Sequence, residues 1–443
     1  VSSSRPGDFF IEASAGATAM ERPGHVGQNA ACQFETVTMT DLSADSAVRA
    51  ARSLDEVAEA KLAALDRRRL RRRLATTERT SATGAAQHGR ELESFSCNDY
   101  LGLSQHPDVI AASVEATRRY GVGAGSSRLV NGNHPLYAEL ERKLATLKGT
   151  DDAIVFGSGY LTNVGTIPAL VGSADLILLD ELCHSCLLAG AELSGARVVE
   201  FRHNDVEHAS ALLREQRARH RHCLVVTDGV FSMEGDLAPL PDLAALGLEH
   251  DAWLMSDDAH GLGVVGDGRG SSCAHGARVD VPLQMGTLSK AAGAYGGYLC
   301  ASASVIELVR NRARSFVYST GLPPGTIAAA SRALDIIGSD LELVRRPVAL
   351  ARLFATELGL REAESPIVSV VLGSAERALR ASDELKLAGF LVPAIRPPTV
   401  PAGTSRLRFT FSAAHREDRV RALAAAVRPI VAELREQSDA NGE

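Results

Sequence analysis

The sequence predicts an α/β protein with a mostly parallel central sheet, followed by a smaller α+β C-terminal domain. Three observations carry that expectation. Short apolar runs (Ala153–Phe156, Leu176–Leu179, Cys223–Thr227, Ala252–Met255 and Tyr298–Ala301) recur between about residues 107 and 343, and runs this short, continuous and often β-branched read as strands buried on both faces. Helical segments separate them. One of these, residues 136–147, carries Leu136, Leu140, Leu144 and Leu147 on one face, and strands alternating with such helices build parallel βαβ units. Beyond about residue 345 the pattern changes. Ile367–Leu372 and Leu407–Phe411 read as strands of a second sheet, flanked by helices at 375–388 and 416–434.

Residues 1–52 are rich in Ser, Ala, Gly and Thr without a sustained apolar period, so they are expected to form a disordered extension. A helical stretch begins near Ser53, with Val57, Ala60, Leu62 and Leu65 as its apolar stripe, and opens an N-terminal segment 53–104. The expected large domain is 105–343, the small domain 344–436 and the tail 437–443. The helix runs into Arg67-Arg68-Arg69-Leu70-Arg71-Arg72-Arg73. This run reads either as a solvated helix end or as a site for an anionic substrate group, such as a coenzyme A phosphate or a carboxylate.

The bulk numbers narrow the function classes. With 47 basic and 54 acidic residues among 443, the net charge is −7, which argues against nucleic acid or an anionic membrane as partner. No apolar run approaches the roughly 20 residues that span a bilayer, and the first 50 residues lack the pattern of a secretory signal. A cytoplasmic location is therefore expected. The seven cysteines are scattered and odd in number, which argues against a disulfide framework. Cys183 and Cys186 form a lone C-x-x-C around His184. Without a second pair, no metal site is expected.

Four stretches carry chemistry. In Met285-Gly286-Thr287-Leu288-Ser289-Lys290-Ala291-Ala292-Gly293, a lysine lies among small and hydroxyl residues with no acidic neighbour. A confined amine of lowered pKa suits Schiff-base chemistry, and Thr287 and Ser289 could donate to a phosphate. Taken alone, the stretch reads equally as a glycine-rich loop with a surface lysine. Ala252-Trp253-Leu254-Met255-Ser256-Asp257-Asp258-Ala259-His260 is a strand ending in two acids and a histidine. Ligands of open α/β sheets sit beyond such strand ends. A carboxylate there would keep a pyridine nitrogen protonated, as pyridoxal phosphate (PLP) requires. Asp257 is the candidate for that role, His260 for a bond to the phenolic oxygen, and Asp258 for a capping role. Phe156-Gly157-Ser158-Gly159-Tyr160 follows a strand and opens a helix, a turn able to bind phosphate. Asp180-Glu181-Leu182-Cys183-His184 supplies an imidazole that either stacks on a ring or is structural.

These stretches, in this order, resemble the α-oxoamine synthases, fold-type-I PLP enzymes that condense an amino acid with an acyl thioester and release CO2. Matching stretches also include Ser96-Cys97-Asn98-Asp99-Tyr100-Leu101-Gly102-Leu103, Gly125-Ser126-Ser127-Arg128 and Thr227-Asp228-Gly229-Val230-Phe231-Ser232. The resemblance covers about residues 53–436. It implies a Schiff base at Lys290, which also moves the Cα proton, with Asp257 at the ring nitrogen, His260 at the phenolic oxygen and His184 stacked on the ring. It puts Gly159, Tyr160, Thr287 and Ser232 around the cofactor and Asn98 near the reacting end. Arg408, with Arg396 as second candidate, would hold the amino-acid carboxylate. It also implies a homodimer with shared active sites, in which Ser319 and Thr320 reach the partner's phosphate. Asp257-Asp258-Ala259-His260-Gly261 and Ala394-Ile395-Arg396-Pro397-Pro398-Thr399-Val400-Pro401, leading into Arg406-Leu407-Arg408, point to the biotin-pathway branch. Its substrates are L-alanine and a pimeloyl thioester, carried by coenzyme A or a carrier protein. A sister synthase using glycine, serine or another thioester stays open, as do a fold-type-I aldolase or lyase and a non-catalytic subunit. Asp228 stands where the family commonly has glutamate, and Cys183 and Cys186 where small residues are usual.

Overall fold

A computed structural model describes residues 53–68, 70–72 and 74–441. The expected extension 1–52, with Arg69 and Arg73 of the basic run, lies outside the described residues. The chain enters through helix Leu54–Arg67, started by a reciprocal cap in which Ser53 and Glu56 bond each other's backbone N–H. Its apolar stripe is present but uncovered. No residue of this helix is buried, and Val57, Leu62 and Leu65 are each more than a third exposed.

The central sheet has seven strands. In spatial order they are Asp152–Phe156, Gly297–Ala301, Leu283–Thr287, Trp253–Asp257, Cys223–Asp228, Leu176–Asp180 and Arg197–Phe201. Gly297–Ala301 runs antiparallel to both neighbours, and every other pairing is parallel. The strands at 283–287 and 197–201 do not stand out as apolar runs. Gln284 and Gly286 interrupt one, and Arg197 and Glu200 the other. Three of the expected runs extend by one or two residues at their C-terminal ends, so that Asp180, Asp228 and Asp257 each close a strand. Asp228 stands beside Asp257 in register. Ile154, Phe156, Ile177, Leu179, Leu224, Val226 and Met255 fill one face, while Leu176, Leu178, Val225 and Leu254 fill the other, which is the two-sided burial of a doubly covered parallel sheet.

A second sheet pairs Ile367–Gly373 and Ala394–Ile395 antiparallel to Ser405–Thr410. Helices Leu341–Leu358, Ala375–Leu387 and Glu417–Asn441 accompany it, and its core gathers around Phe354, Phe409 and Phe411. A third sheet joins Glu78–Arg79, Gly84–Gln87 and Arg90–Ser94 to Phe390–Leu391, so the N-terminal segment is stitched to the C-terminal one. No helix among the described residues is long and apolar enough to cross a membrane.

A buried ion pair locks the centre. Lys148 Nζ, at the end of helix Leu136–Lys148, lies 2.6 Å from Asp258 Oδ2, and both side chains are almost fully enclosed. Asp258 Oδ1 accepts the Ser271 N–H at 2.9 Å, and Lys148 also donates to the Arg269 carbonyl at 2.7 Å. Removing one partner leaves the other charge stranded in a dry interior. Lys148→Met is therefore expected to lower stability by about 3–5 kcal/mol, measured by urea unfolding.

Candidate active site

The parallel strands deliver their last residues to one edge, and the site is built there. Asp257, Asp228 and Thr287 end three adjacent strands, and Lys290 follows Thr287 by three residues. With Gly159, Tyr160, His184 and His260 they line a cavity of about 190 Å³. Gly159 and Tyr160 begin helix Gly159–Leu170. The Ser158 hydroxyl caps the Leu161 N–H at 3.2 Å, which leaves the Gly159 and Tyr160 N–H groups as the free donors of a helix start. A Cβ on Gly159 would stand 3.4 Å from Thr287 Cβ, so the missing side chain keeps the backbone open to the cavity.

Burial lowers the Lys290 amine to about 8, against the raising influence of Asp257 and with help from Arg408. Its Nζ lies 2.8 Å from His260 Nε2, and His260 Nδ1 lies 2.6 Å from the Tyr100 hydroxyl. Burial pushes Tyr100 up to about 12, although Arg408 pulls the other way, so Tyr100 keeps its proton and donates it to Nδ1. His260 then carries its own proton on Nε2, which donates to Lys290 when that amine is unprotonated. Burial and the neighbouring Lys290 hold the His260 ring far below its usual pKa, so the ring stays neutral. Asp257 Oδ2 accepts from Asn163 Nδ2 at 2.8 Å and Oδ1 from the Ala259 N–H at 3.0 Å. Burial first, then Asp257, drives the Asp228 carboxyl well above the usual range. The acid beside Asp257 is therefore held toward its neutral form.

Arg408 enters from the second sheet. Its Nε donates to the Ser232 carbonyl, Nη1 to Asn98 Oδ1 at 3.2 Å and Nη2 to the Tyr100 hydroxyl at 3.4 Å. Arg408 thus gathers Ser232, Asn98 and Tyr100, and through Tyr100 reaches His260 and Lys290. Three other candidates lie elsewhere in the single chain. Arg396 is half-buried after the short strand Ala394–Ile395 and is not among the residues lining the cavity. Ser319 and Thr320 line a separate small cleft with Arg128 and Tyr137, where Thr320 bridges to Ser127. Arg72, from the basic run, donates to the Thr399 hydroxyl at 2.8 Å.

Sequence reasoning passed over Tyr100, Asn163 and His203. Tyr100 stood in a quoted motif without a role. Asn163 is four residues beyond Gly159, hence on the same helix face, and that spacing was the available signal. Asp258, adjacent to Asp257, accepts the Ser271 N–H and adds the ion pair to Lys148. The C-x-x-C sulfurs go separate ways. Cys183 Sγ points to the Val226 carbonyl at 3.7 Å and Cys186 Sγ to His184 Nδ1 at 2.8 Å. No cluster of three or more metal-binding side chains occurs among the described residues.

Residues 90–427 match the family model for class I and II aminotransferases. The chain is 62% identical over 343 residues to the 8-amino-7-oxononanoate synthase of Methylocella silvestris, covering 77% of this chain and 98% of that protein. It is 57% identical over 379 residues to that of Beijerinckia indica, covering 86% and 98%. The chain belongs to the α-oxoamine synthase family. Among solved structures, serine palmitoyltransferase from S. paucimobilis, with a PLP–myriocin aldimine bound, superposes with a TM-score of 0.79 at 31% identity, covering 86% of this chain and 99% of that one. The 8-amino-7-oxononanoate synthase of Francisella tularensis gives 0.66 at 26% identity, covering 78% and 98%. The fold is that of the fold-type-I PLP transferases, and PLP is the cofactor. The cavity suits it. A buried amine stands against an acid held ready for a ring nitrogen, and a glycine-opened helix start faces Thr287, with free N–H groups for a phosphate.

An imidazole bridge braces this edge. His203 Nδ1 lies 3.2 Å from Asp180 Oδ1, and Nε2 lies 2.9 Å from Asp236 Oδ2. Burial alone would lower its pKa, but the two carboxylates outweigh it and raise it to about 10. A raised pKa stabilises the fold fully below the unfolded value near 6.5, and this contribution fades as pH climbs through the folded value. His203→Gln should therefore be destabilised most at about pH 6, with the gap to wild type narrowing toward about pH 10. Urea midpoints at both pH values provide the check.

Proposed function

We propose that this α-oxoamine synthase joins L-alanine to a pimeloyl thioester, giving 8-amino-7-oxononanoate, CO2 and the free thiol. The curated relatives at 57–62% identity that carry the name of that activity support the substrate pair. The observation that carries the chemistry is the single cavity onto which both Lys290 and Asp257 open.

Bound PLP supplies an electron sink for negative charge at the amino-acid Cα. Asp257 holds a proton on the ring nitrogen, the condition for that sink. Lys290 holds the cofactor and takes the Cα proton. With a pKa of about 8 it has free amine available near neutral pH, where an ordinary lysine has almost none. His260, neutral and with Nε2–H aimed at the Lys290 nitrogen, bonds the phenolic oxygen beside it. His184 covers the ring face. Arg408 takes the substrate carboxylate, since three of its five N–H groups are engaged and two remain. A bond then forms between Cα and the acyl carbonyl carbon as the carbon–sulfur bond breaks, the carboxylate leaves as CO2, and a proton returns to Cα. Arg72, tethered to Thr399, offers a cation for the far end of the acyl substrate. The working unit is a homodimer. Ser319 and Thr320, apart from their own chain's cavity, are available to the partner's phosphate, and the uncovered apolar stripe of helix Leu54–Arg67 fits burial between subunits.

Lys290→Ala is expected to lose the visible absorbance of bound PLP and essentially all turnover, and full activity in that variant would refute the assignment. Arg408→Lys should raise the KM for the amino acid by about 10–100-fold, because a bidentate charged pair is lost. The similarity to serine palmitoyltransferase favours serine as the alternative substrate. Initial rates of thiol release with alanine, glycine and serine, each with pimeloyl-CoA, decide between them, and alanine should lead by at least tenfold.

A further inference from the structure

Acting together on the cofactor ring, His184 and Asp257 need to be held in alignment with each other. They come from different elements. His184 is the N-cap of helix Ser185–Ser194 and Asp257 ends a central strand. Between them sit two buried side chains with no assigned role. The Asn163 amide nitrogen reaches Asp257 Oδ2 at 2.8 Å and Cys186 Sγ at 3.0 Å. The same sulfur lies 2.8 Å from His184 Nδ1. The directions are forced. The amide nitrogen has two protons and nothing to accept with, so it donates one to the carboxylate and one to the sulfur. The reversed amide would set its oxygen against the Asp257 carboxylate. The sulfur's own proton is then left for His184 Nδ1, which also accepts the Cys186 backbone N–H at 3.2 Å.

We propose that Cys186 is a positioning residue. Its thiol accepts from Asn163 and donates to His184, forming a chain Asp257–Asn163–Cys186–His184 that fixes the acid at the ring nitrogen and the imidazole over the ring as one unit. Burial, reinforced by Asp257, holds the thiol well above its usual pKa, so it keeps the proton the chain needs. Burial also lowers the His184 pKa, so the imidazole stays neutral and Nδ1 free to accept. Cys186 is the second cysteine of the lone C-x-x-C around His184. A serine there could supply the same donor and acceptor, whereas an alanine could supply neither.

This inference rests on the PLP reading of the cavity but not on the identity of the acyl or amino-acid substrate, so the test reads cofactor binding rather than turnover. PLP dissociation constants of the full-length protein would be measured by absorbance titration for wild type, Cys186→Ala, Cys186→Ser, Asn163→Ala and the Cys186→Ala/Asn163→Ala double variant. Cys186→Ala should weaken PLP binding about tenfold, the value of one buried hydrogen bond. Cys186→Ser should stay within about threefold of wild type, and the double variant should bind no worse than the weaker single one, as members of one chain do. Additive losses, or wild-type affinity in Cys186→Ala, overturn the proposal. Should the alanine variants fail to fold, the infrared S–H band of the wild-type holoenzyme, isolated by difference against Cys186→Ser, decides instead. A band displaced to low frequency supports a donated thiol proton, and a band at the free-thiol position overturns it. Thiol release from pimeloyl-CoA, followed in parallel, reports on the substrate reading alone. A wild type that binds PLP but makes no product would sink that reading and leave the chain intact.

Discussion

Everything at the catalytic edge answers to one buried carboxylate. Asp257 ends a strand at the heart of the sheet, 4% exposed, and a charge so enclosed must be met by donors or give up its ionisation. Asn163, the Ala259 N–H and the nearby Lys290 amine meet it. Its register neighbour Asp228 has less help, one N–H from His184 at 3.3 Å, and its carboxyl is driven toward the neutral form. Two acids side by side thus differ in surroundings, one met by donors and the other driven toward its neutral form.

The next residue shows how strand geometry separates roles. Asp258 follows Asp257 directly, yet successive side chains leave a strand end in opposite directions. One acid faces the cavity and the other turns inward to Lys148. The inward pair ties a helix end to the loop at Ser271, so the dipeptide anchors the site and the core together.

The second sheet and the N-terminal segment complete what the large sheet begins. Arg408 lies in strand Ser405–Thr410 and Tyr100 in the N-terminal segment, which is itself paired to Phe390–Leu391. Their meeting at Ser232, Asn98 and His260 means that the proton position on His260 depends on three distant parts of the chain. A hydrogen-bonded set of this kind is worth its cost only when every member is satisfied, which is why Tyr100 must keep its proton.

Much of the fold was legible in the residues themselves. Apolar runs of four or five residues between amphipathic helices point to a mostly parallel sheet covered on both faces, although one of them, in Gly297–Ala301, is equally buried and runs antiparallel. Residues that line the cavity were legible for a related reason: glycine, serine, acid and lysine at strand ends form local patterns, and Lys290, Asp257, His260, His184 and Gly159 all lie in such stretches. What local pattern could not hold was decided by tertiary structure. The strands at 197–201 and 283–287 carry polar or glycine interruptions and are strands because their neighbours pair with them. Tyr100, Asn163 and Cys186 acquire their partners across separations of 160, 94 and 23 residues, distances over which sequence spacing carries no geometric information. Arg396 and Arg408 look alike in the sequence, and only the tertiary structure shows the Arg408 guanidinium at Ser232 and Asn98. Sequence determines which groups are available and on which element each sits. Packing decides which of them share a proton, because hydrogen bonds are set within tenths of an ångström by the elements that carry them.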